Sequence, residues 1–226
     1  MKFLKKTAQH GRWYDDACGA AFALELVGER WALLILRELM FGGRRFSDLR
    51  AGLPGISAKV LTERLEGFER AGIVQRRQLP PPARVQVYEL TPWGCEMDET
   101  LLALCRWALA SPGHDHTLPL SAAAMMMSLQ ALFDPAKAGV SALSGAIRIG
   151  AETYGVKVAG GRLDILRGEP EAPRFTITAP DATPIKRLIY GKAPPDSLAS
   201  AGLAMSGDGE AALRFVDLFH LPVKMA

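Results

Sequence analysis

The stretch SAKVLTERLEGFERAGIVQRRQLPPPARVQVYEL, residues 57–90, decides the fold of the N-terminal half of this chain. Its first part, residues 57–70, places apolar residues three and four positions apart, which is typical of a helix with one buried face. Ser57 stands at the expected N-cap and Gly72 at the expected end of this helix. From residue 73 onward apolar residues nearly alternate in two segments around a proline-rich turn, which predicts two strands joined by a loop.

Helical patterns surround this stretch on both sides. Residues 19–40 predict two helices with a break near Gly28, and a short helix precedes Gly52. After the hairpin, Thr91 and Pro92 open a further helix that runs to about residue 110. Four helices, a hairpin and a last helix make a winged helix-turn-helix, in which the second helix of the pair enters the major groove of DNA and the hairpin reaches the neighbouring backbone.

The distribution of charge favours DNA as the partner of this half. The whole chain of 226 residues carries a net charge of only +3, but residues 44–84 alone hold nine basic and four acidic residues. Long cations beside a recognition helix neutralise phosphates, and side chains at the helix start reach base edges. We therefore predict DNA contacts from Arg44, Arg45, Ser57, Lys59, Thr62, Arg64, Arg76, Arg77 and Arg84. The alternative is a solvated helix and hairpin whose arginines only keep the protein soluble.

Residues 18–110 resemble the HxlR-type family of prokaryotic winged-helix transcription regulators, which is MarR-like in fold. The matching motifs are a cysteine before the first helix, GERW at 28–31, RRFSDL at 44–49, GISAKVLTERL at 55–65 and YELTPWG at 88–94. The resemblance implies a homodimer on double-stranded operator DNA, held together by the first and last helices of the domain. It thereby gives as interface candidates Leu101, Leu104, Cys105, Trp107 and Ala108.

Cys18 is a candidate redox or electrophile sensor, because the resemblance places a sensing cysteine at this position in several family members. Asp15 and Asp16 would raise the pKa of its thiol, whereas the start of a helix would lower it. A packing role in the dimer stays open beside the sensing role, since free cysteine is among the most buried residue types.

The C-terminal half is predicted to be α+β, built on a mostly antiparallel sheet. An apolar helix over residues 120–133 with little polar face must be buried, and from residue 146 the pattern predicts three or four antiparallel strands, then helical pieces. Residues 140–221 resemble the sterol-carrier-protein-type lipid-binding domain through GGRLDILRG at 160–168 and LAMSGDGEAALRFVDLF at 203–219. The resemblance implies a hydrophobic tunnel for a lipid-like or aromatic effector, whose contact residues stay unknown. A closed core without a cavity is the alternative.

The sequence thus predicts a winged-helix DNA-binding and dimerisation domain over residues 1–112, a linker over 113–119 and a ligand-binding domain over 120–226. We find no motif for catalysis, metal or cofactor binding, and no membrane-spanning or secretory segment, so we expect a cytoplasmic regulator rather than an enzyme. Two other functions stay open: a lipid carrier or accessory binding protein, and a repressor that senses oxidants or electrophiles through Cys18.

Overall fold

The computed structural model describes residues 14–81 and 83–225. In the N-terminal half, residues 14–112, the elements follow the predicted order. They are α1 Gly19–Val27, α2 Ala32–Leu39, α3 Phe46–Gly52, α4 Ala58–Ala71, β1 Val74–Gln78, β2 Gln86–Leu90, α5 Pro92–Cys95 and α6 Met97–Leu109.

The helix predicted over residues 57–70 is present as α4. The Ser57 side chain accepts a hydrogen bond from the amide of Val60 at 3.2 Å, and Gly72 ends the helix in the left-handed conformation with φ 74°. Leu61, Leu65 and Phe68 are buried along one face. The capping bond satisfies an amide that the first helical turn leaves free, and the buried face fixes which side of α4 meets solvent.

The hairpin β1–β2 forms the predicted wing. Its strands are antiparallel, with Val74 opposite Leu90 and Gln78 opposite Gln86. The predicted single helix over 91–110 is interrupted at Glu96, giving α5 and α6. Gly94 explains part of this geometry, because a Cβ at this position would meet the carbonyl oxygen of Ile73 at 2.1 Å. With any other residue at position 94, the base of the wing and α5 could not approach each other this closely.

The C-terminal half, residues 120–225, surrounds a five-stranded sheet in the order β5-β4-β3-β6-β7. Its elements are α7 Ala122–Ala131, α8 Pro135–Ala138, β3 Leu143–Ile149, β4 Glu152–Ala159, β5 Arg162–Arg167, β6 Phe175–Ala179, α9 Ala182–Ile189, a 3₁₀ helix Pro195–Ala201, β7 Ala204–Gly207 and α10 Gly209–Val216. The α+β prediction is confirmed: three of the four strand pairings in this sheet are antiparallel, and β6 pairs parallel to β3.

Helix α7 is buried, as its apolar sequence predicts. Ala123, Met125, Met126 and Leu129 are completely or almost completely shielded from solvent. The helix packs against α2 and α6 on one side and against β5 and α9 on the other. An element without a polar face is stable only when neighbours cover it all round, and here both halves of the chain contribute to that cover.

The two halves form separate apolar clusters that meet directly. Phe41, just after α2, packs in the C-terminal cluster, with its ring edge against Tyr154 at 5.8 Å between centroids. The amide of Arg167 donates to the carbonyl of Phe41 at 2.9 Å, and Met40 and Met127 contact both clusters. The predicted linker at 113–119 is therefore not the sole connection between the halves.

Within residues 14–81 and 83–225, no helix combines the length and apolar character that crossing a bilayer would require.

Candidate nucleic-acid interface

The exposed face of α4 presents small polar and basic groups at its N-terminal end. Ser57, Lys59 and Thr62 are all exposed there. Glu63 and Glu66 follow on the outward face toward the middle of the helix. The first turn and a half of α4 is therefore the part suited to approach phosphates and base edges, because it is free of carboxylates and carries the positive end of the helix dipole.

Three of the predicted cations are exposed and have no acidic partner among the described residues. They are Arg45 beside α3, Lys59 on α4 and Arg84 in the wing loop. The backbone of Arg84 adopts φ 41°, and its amide donates to the carbonyl of Pro80 at 3.4 Å. Cations without internal partners keep their full charge for phosphates.

Three other predicted cations are paired with carboxylates of their own half. Arg64 lies 3.6 Å from Glu29. On the wing, Arg76 lies 2.8 Å from Glu69, and Arg77 lies 2.6 Å from Glu89. The hydrogen bond to Glu69 holds the pKa of Arg76 above its usual value. DNA would have to compete with these carboxylates, so the effective positive surface is smaller than the residue count of the window suggests.

Arg44 is not on the surface, which corrects its predicted contact with DNA. Only 6% of its side chain is exposed, and it forms ion pairs with Glu38 and, at 2.8 Å, with Glu152. Glu152 also pairs with Arg167, and Glu38 is completely buried. These four residues, the ionic cluster, join α2 to β4 and β5. Arg44 is therefore a structural residue, because a buried guanidinium with two carboxylate partners has no free face for phosphate.

The backbone of Arg44 also touches the wing. Its amide and carbonyl each form a 2.8 Å hydrogen bond with Tyr88 of β2. The guanidinium of Arg76 lies over the ring of Tyr88, 5.3 Å from the ring centroid. The ionic cluster is thereby connected to the base of the wing.

The predicted interface residues on α6 fall into two groups. Trp107 is 77% exposed and Leu104 42%, Ala108 is also exposed, and Cys105 is half-buried. Leu101 is buried in the N-terminal cluster, so it cannot contact a second chain in this arrangement, and its assignment is corrected. On α1, the first helix that the family resemblance places in the interface, Phe22 and Leu24 are exposed as well.

Cys18 is exposed at the N-cap position of α1. The backbone N–H groups of Ala20 and Ala21 hold the pKa of its thiol below the usual value. The start of α1 therefore favours the thiolate form of Cys18. Burial has the opposite effect on Cys105, where it raises the pKa of the thiol.

A pocket of about 790 Å³ lies where the two halves meet, and no sequence signal indicated it. We call it the junction pocket. Its walls come from α6, α7, α9 and the segment between α6 and α7 over residues 113–120, which we call the connector. Its lining residues come from both halves, so neither half forms the pocket alone. No three His, Cys, Asp or Glu side chains are grouped as metal ligands in the part of the chain that the structure describes.

Comparison with known proteins gives a family match over residues 26–114, described as HxlR-like helix-turn-helix. The uncharacterized HTH-type transcriptional regulator YtfH of Escherichia coli is 36% identical over 105 residues, which cover 46% of this chain and 82% of YtfH. YvaP of Bacillus subtilis, also named an uncharacterized HTH-type transcriptional regulator, is 38% identical over 87 residues, 38% of this chain and 80% of YvaP. Among solved structures, the reduced form of the regulator YodB from B. subtilis is 33% identical, covers 44% of this chain and all of that chain, and has a TM-score of 0.39.

Proposed function

The chain belongs to the HxlR-like helix-turn-helix family of transcriptional regulators, and on this premise we propose that it binds operator DNA as a homodimer through α4 and the wing. The observation that supports this proposal is that Arg45 beside α3, Lys59 on α4 and Arg84 in the wing loop are exposed and have no acidic partner among the described residues. In a winged helix, α4 reads the major groove and the wing contacts the flanking backbone.

A homodimer is the form of the protein that such DNA binding requires. Two half-sites, one helical turn apart, need two recognition helices held at a fixed distance. The exposed Trp107 and Leu104 on α6 and Phe22 on α1 supply apolar surface for a second copy. Large aromatic side chains of this kind often dominate the binding energy of interfaces.

The direct test is a titration of DNA taken from immediately upstream of the coding region. Fluorescence anisotropy at fixed salt should show at least about 100-fold tighter binding than to a scrambled fragment of equal length, since specific sites exceed non-specific ones by ~10³ or more. Equal affinity for the two fragments would contradict sequence-specific binding. Because operator DNA is the proposed partner, we also propose a cytoplasmic location and no catalytic activity; the relatives above are named as regulators.

For residues 120–226 we propose a second domain of the sterol-carrier type, preceded by the linker at 113–119. The order of its strands and helices supports this proposal. The space between sheet and helices is filled, however, by the rings of Phe175, Phe215 and Phe219. The centroid of the Phe215 ring lies 5.3 Å from that of Phe175 and 5.0 Å from that of Phe219. A Cβ at Gly145 would come within 2.3 Å of the Phe175 ring. A tunnel at this position would require these rings to move.

A second candidate function is the sensing of oxidants or electrophiles through Cys18. The observation in its favour is an exposed thiol whose pKa the start of α1 lowers. The thiolate is the reactive form, so exposure and a lowered pKa together select this cysteine over the half-buried Cys105. Hydrogen peroxide or a quinone should release wild-type protein from operator DNA, and Cys18→Ser should abolish the release while Cys95→Ser retains it. Equal release in the wild type and Cys18→Ser would exclude this function.

A further inference from the structure

We propose that the junction pocket binds an amphiphilic carboxylate, a molecule with an apolar body and one acidic head group, and that this ligand is the effector of the regulator. The proposal rests on the DNA-binding function above for its regulatory part, whereas the ligand class follows from the pocket itself. It places the effector between the two halves rather than between the sheet and helices of the C-terminal half.

The body of the pocket is apolar and of suitable size. Its volume of about 790 Å³ lies within the ~300–1,000 Å³ typical of small-molecule sites. Leu109 of α6, Met127 of α7 and Tyr190 form its walls, and Leu118 and Leu221 border it from the connector and the C-terminal tail. Met127 is a flexible, polarizable side chain that adapts to irregular ligands.

The rim of the pocket is cationic. Lys186 and Arg187 of α9 both line it. Lys186 donates to the backbone carbonyls of His116 at 2.6 Å and Leu118 at 3.3 Å, with no carboxylate partner among the described residues. Arg187 is exposed and likewise has no described acidic partner. Two cations without carboxylates at the edge of an apolar space favour an anionic head group over a neutral one.

Arg37 of α2, which is paired with Glu38, adds a buried hydrogen-bond donor without a partner in the described part of the chain. Its Nη2 donates to Glu38 at 2.9 Å and lies 3.4 Å from Ser121, while its buried Nε has no hydrogen-bond partner in the described part of the chain. A buried donor without a partner is costly, and a ligand acceptor would relieve that cost. Asp115 is the one carboxylate that lines the pocket, and it is held by the amide and hydroxyl of Thr117 at 2.8 and 2.6 Å.

Occupation of the pocket would act on DNA binding through α6. Cys105 and Ala108 face the pocket from the same helix that exposes Leu104 and Trp107 for the proposed dimer. A ligand between α6 and α9 changes how α6 sits on α7, and with it the separation of the two recognition helices. The ligand shifts operator affinity to the extent that it binds the two arrangements differently.

The ligand class is tested on the 226-residue chain without DNA, by isothermal titration calorimetry with dodecanoate below its micelle concentration and dodecanol below its solubility limit. We expect dodecanoate to bind at least tenfold more tightly than dodecanol. Arg187→Glu should weaken dodecanoate binding about tenfold and leave dodecanol unchanged. Leu118→Glu, at an exposed connector position, should weaken both ligands because it places a charge against the apolar body.

Arg162→Glu is the matched control, since Arg162 is an exposed arginine of β5 outside the pocket lining. It should leave both affinities unchanged, and circular dichroism melts confirm that each variant is folded. Equal binding of the acid and the alcohol, no binding of dodecanoate, or equal effects of Arg187→Glu and Arg162→Glu would each overturn the proposed ligand class.

The regulatory part has a separate readout. Saturating dodecanoate should change the dissociation constant for operator DNA at least about fivefold, and Arg187→Glu should reduce this change. Operator affinity that stays constant although dodecanoate binds would overturn the effector role. Dodecanoate binding by a chain that fails to distinguish operator from scrambled DNA would instead retain the ligand class and reject the proposed function.

Discussion

Two adjacent arginines have opposite environments in this protein. Arg44 is buried in the ionic cluster, and Arg45 is exposed at the N-cap position of α3. The sequence predicts the same role for both, because the partner that distinguishes them, Glu152, lies more than a hundred positions further along the chain. Local patterns report on helix faces and charge density, but they carry no information about such distant ion pairs.

Removal of these two side chains should therefore affect different properties. Arg44→Ala should lower the free energy of unfolding by about 3 kcal/mol, because it leaves Glu38 as a buried, less compensated charge. Arg45→Ala should change it by less than about 0.5 kcal/mol, as is usual for exposed positions, and should weaken operator binding instead. Urea unfolding of both variants measures the difference. Similar unfolding free energies would contradict the structural role of Arg44.

Asp98, in the first turn of α6, makes stability depend on pH. Burial, with a smaller contribution from Glu99, raises the pKa of Asp98 to about 6. A raised carboxyl pKa means that the charged form is disfavoured in the folded state. Ionised Asp98 therefore destabilises the fold above pH 6, and this loss of stability disappears as the pH falls and the carboxyl is protonated. Asp98→Asn should raise the free energy of unfolding by about 1 kcal/mol near pH 7.5 and by almost nothing near pH 4. The value at pH 7.5 is reduced because the Asp98 carboxyl is partly in contact with solvent.

Thermal melts of Asp98→Asn across this pH range provide the measurement. Asp164→Asn is the matched control, because Asp164 is an exposed aspartate on β5. A stabilisation by Asp98→Asn that is equal at both ends of the range would show that charge burial is not its cause.

At the scale of elements, the signals that predicted α4 and the wing are local. A capping serine, a helical apolar period and a left-handed glycine define α4 without any tertiary contact. The break at Glu96 between α5 and α6 has no such signal. The close approach of Gly94 to Ile73 is a tertiary contact, which helical periodicity does not report. The parallel pairing of β6 with β3 depends on the crossover between them, which strand periodicity does not specify.

The start of α4 and the wing loop should each contribute to DNA affinity. Lys59→Ala and Arg84→Ala should each weaken operator binding, and each should lower the slope of log affinity against log salt by about 1 if a phosphate contact is lost. Lys157→Ala, at an exposed position of β4, is the control. Anisotropy titrations at several salt concentrations measure both quantities, and slopes that match those of Lys157→Ala would reject the assigned contacts.

At the scale of the whole molecule, the sequence predicts the two halves and their order, but not how they meet. Phe41 packs in the C-terminal cluster, and the guanidinium of Arg167 donates to the backbone carbonyl of Glu38 in the N-terminal half. The junction pocket also belongs to this level, since its lining is spread from Arg37 to Leu221. Contacts over such separations follow from packing of complete elements and leave no periodic trace in the chain.

The exposed face of α6 leads to a prediction about assembly. Trp107→Glu should convert a dimer into a monomer and weaken operator binding at least tenfold, because one recognition helix alone contacts a single half-site. Leu166→Glu is the control at an edge-strand position that is 70% exposed. Size-exclusion chromatography with light scattering measures the mass, and a Trp107→Glu protein with the mass of the wild type would contradict this interface.

The ionic cluster limits which C-terminal halves can be joined to residues 1–112 in a chimera. Its charges are divided between the halves, with Glu38 and Arg44 on one side and Glu152 and Arg167 on the other. A chimera that kept residues 1–112 and received another C-terminal half would lose Glu152, one of the two counter-charges of Arg44, and would expose the ring of Phe41. Exchange of the C-terminal half at the connector therefore gives a stable protein only when the incoming half supplies a carboxylate beside Arg44 and an apolar pocket for Phe41.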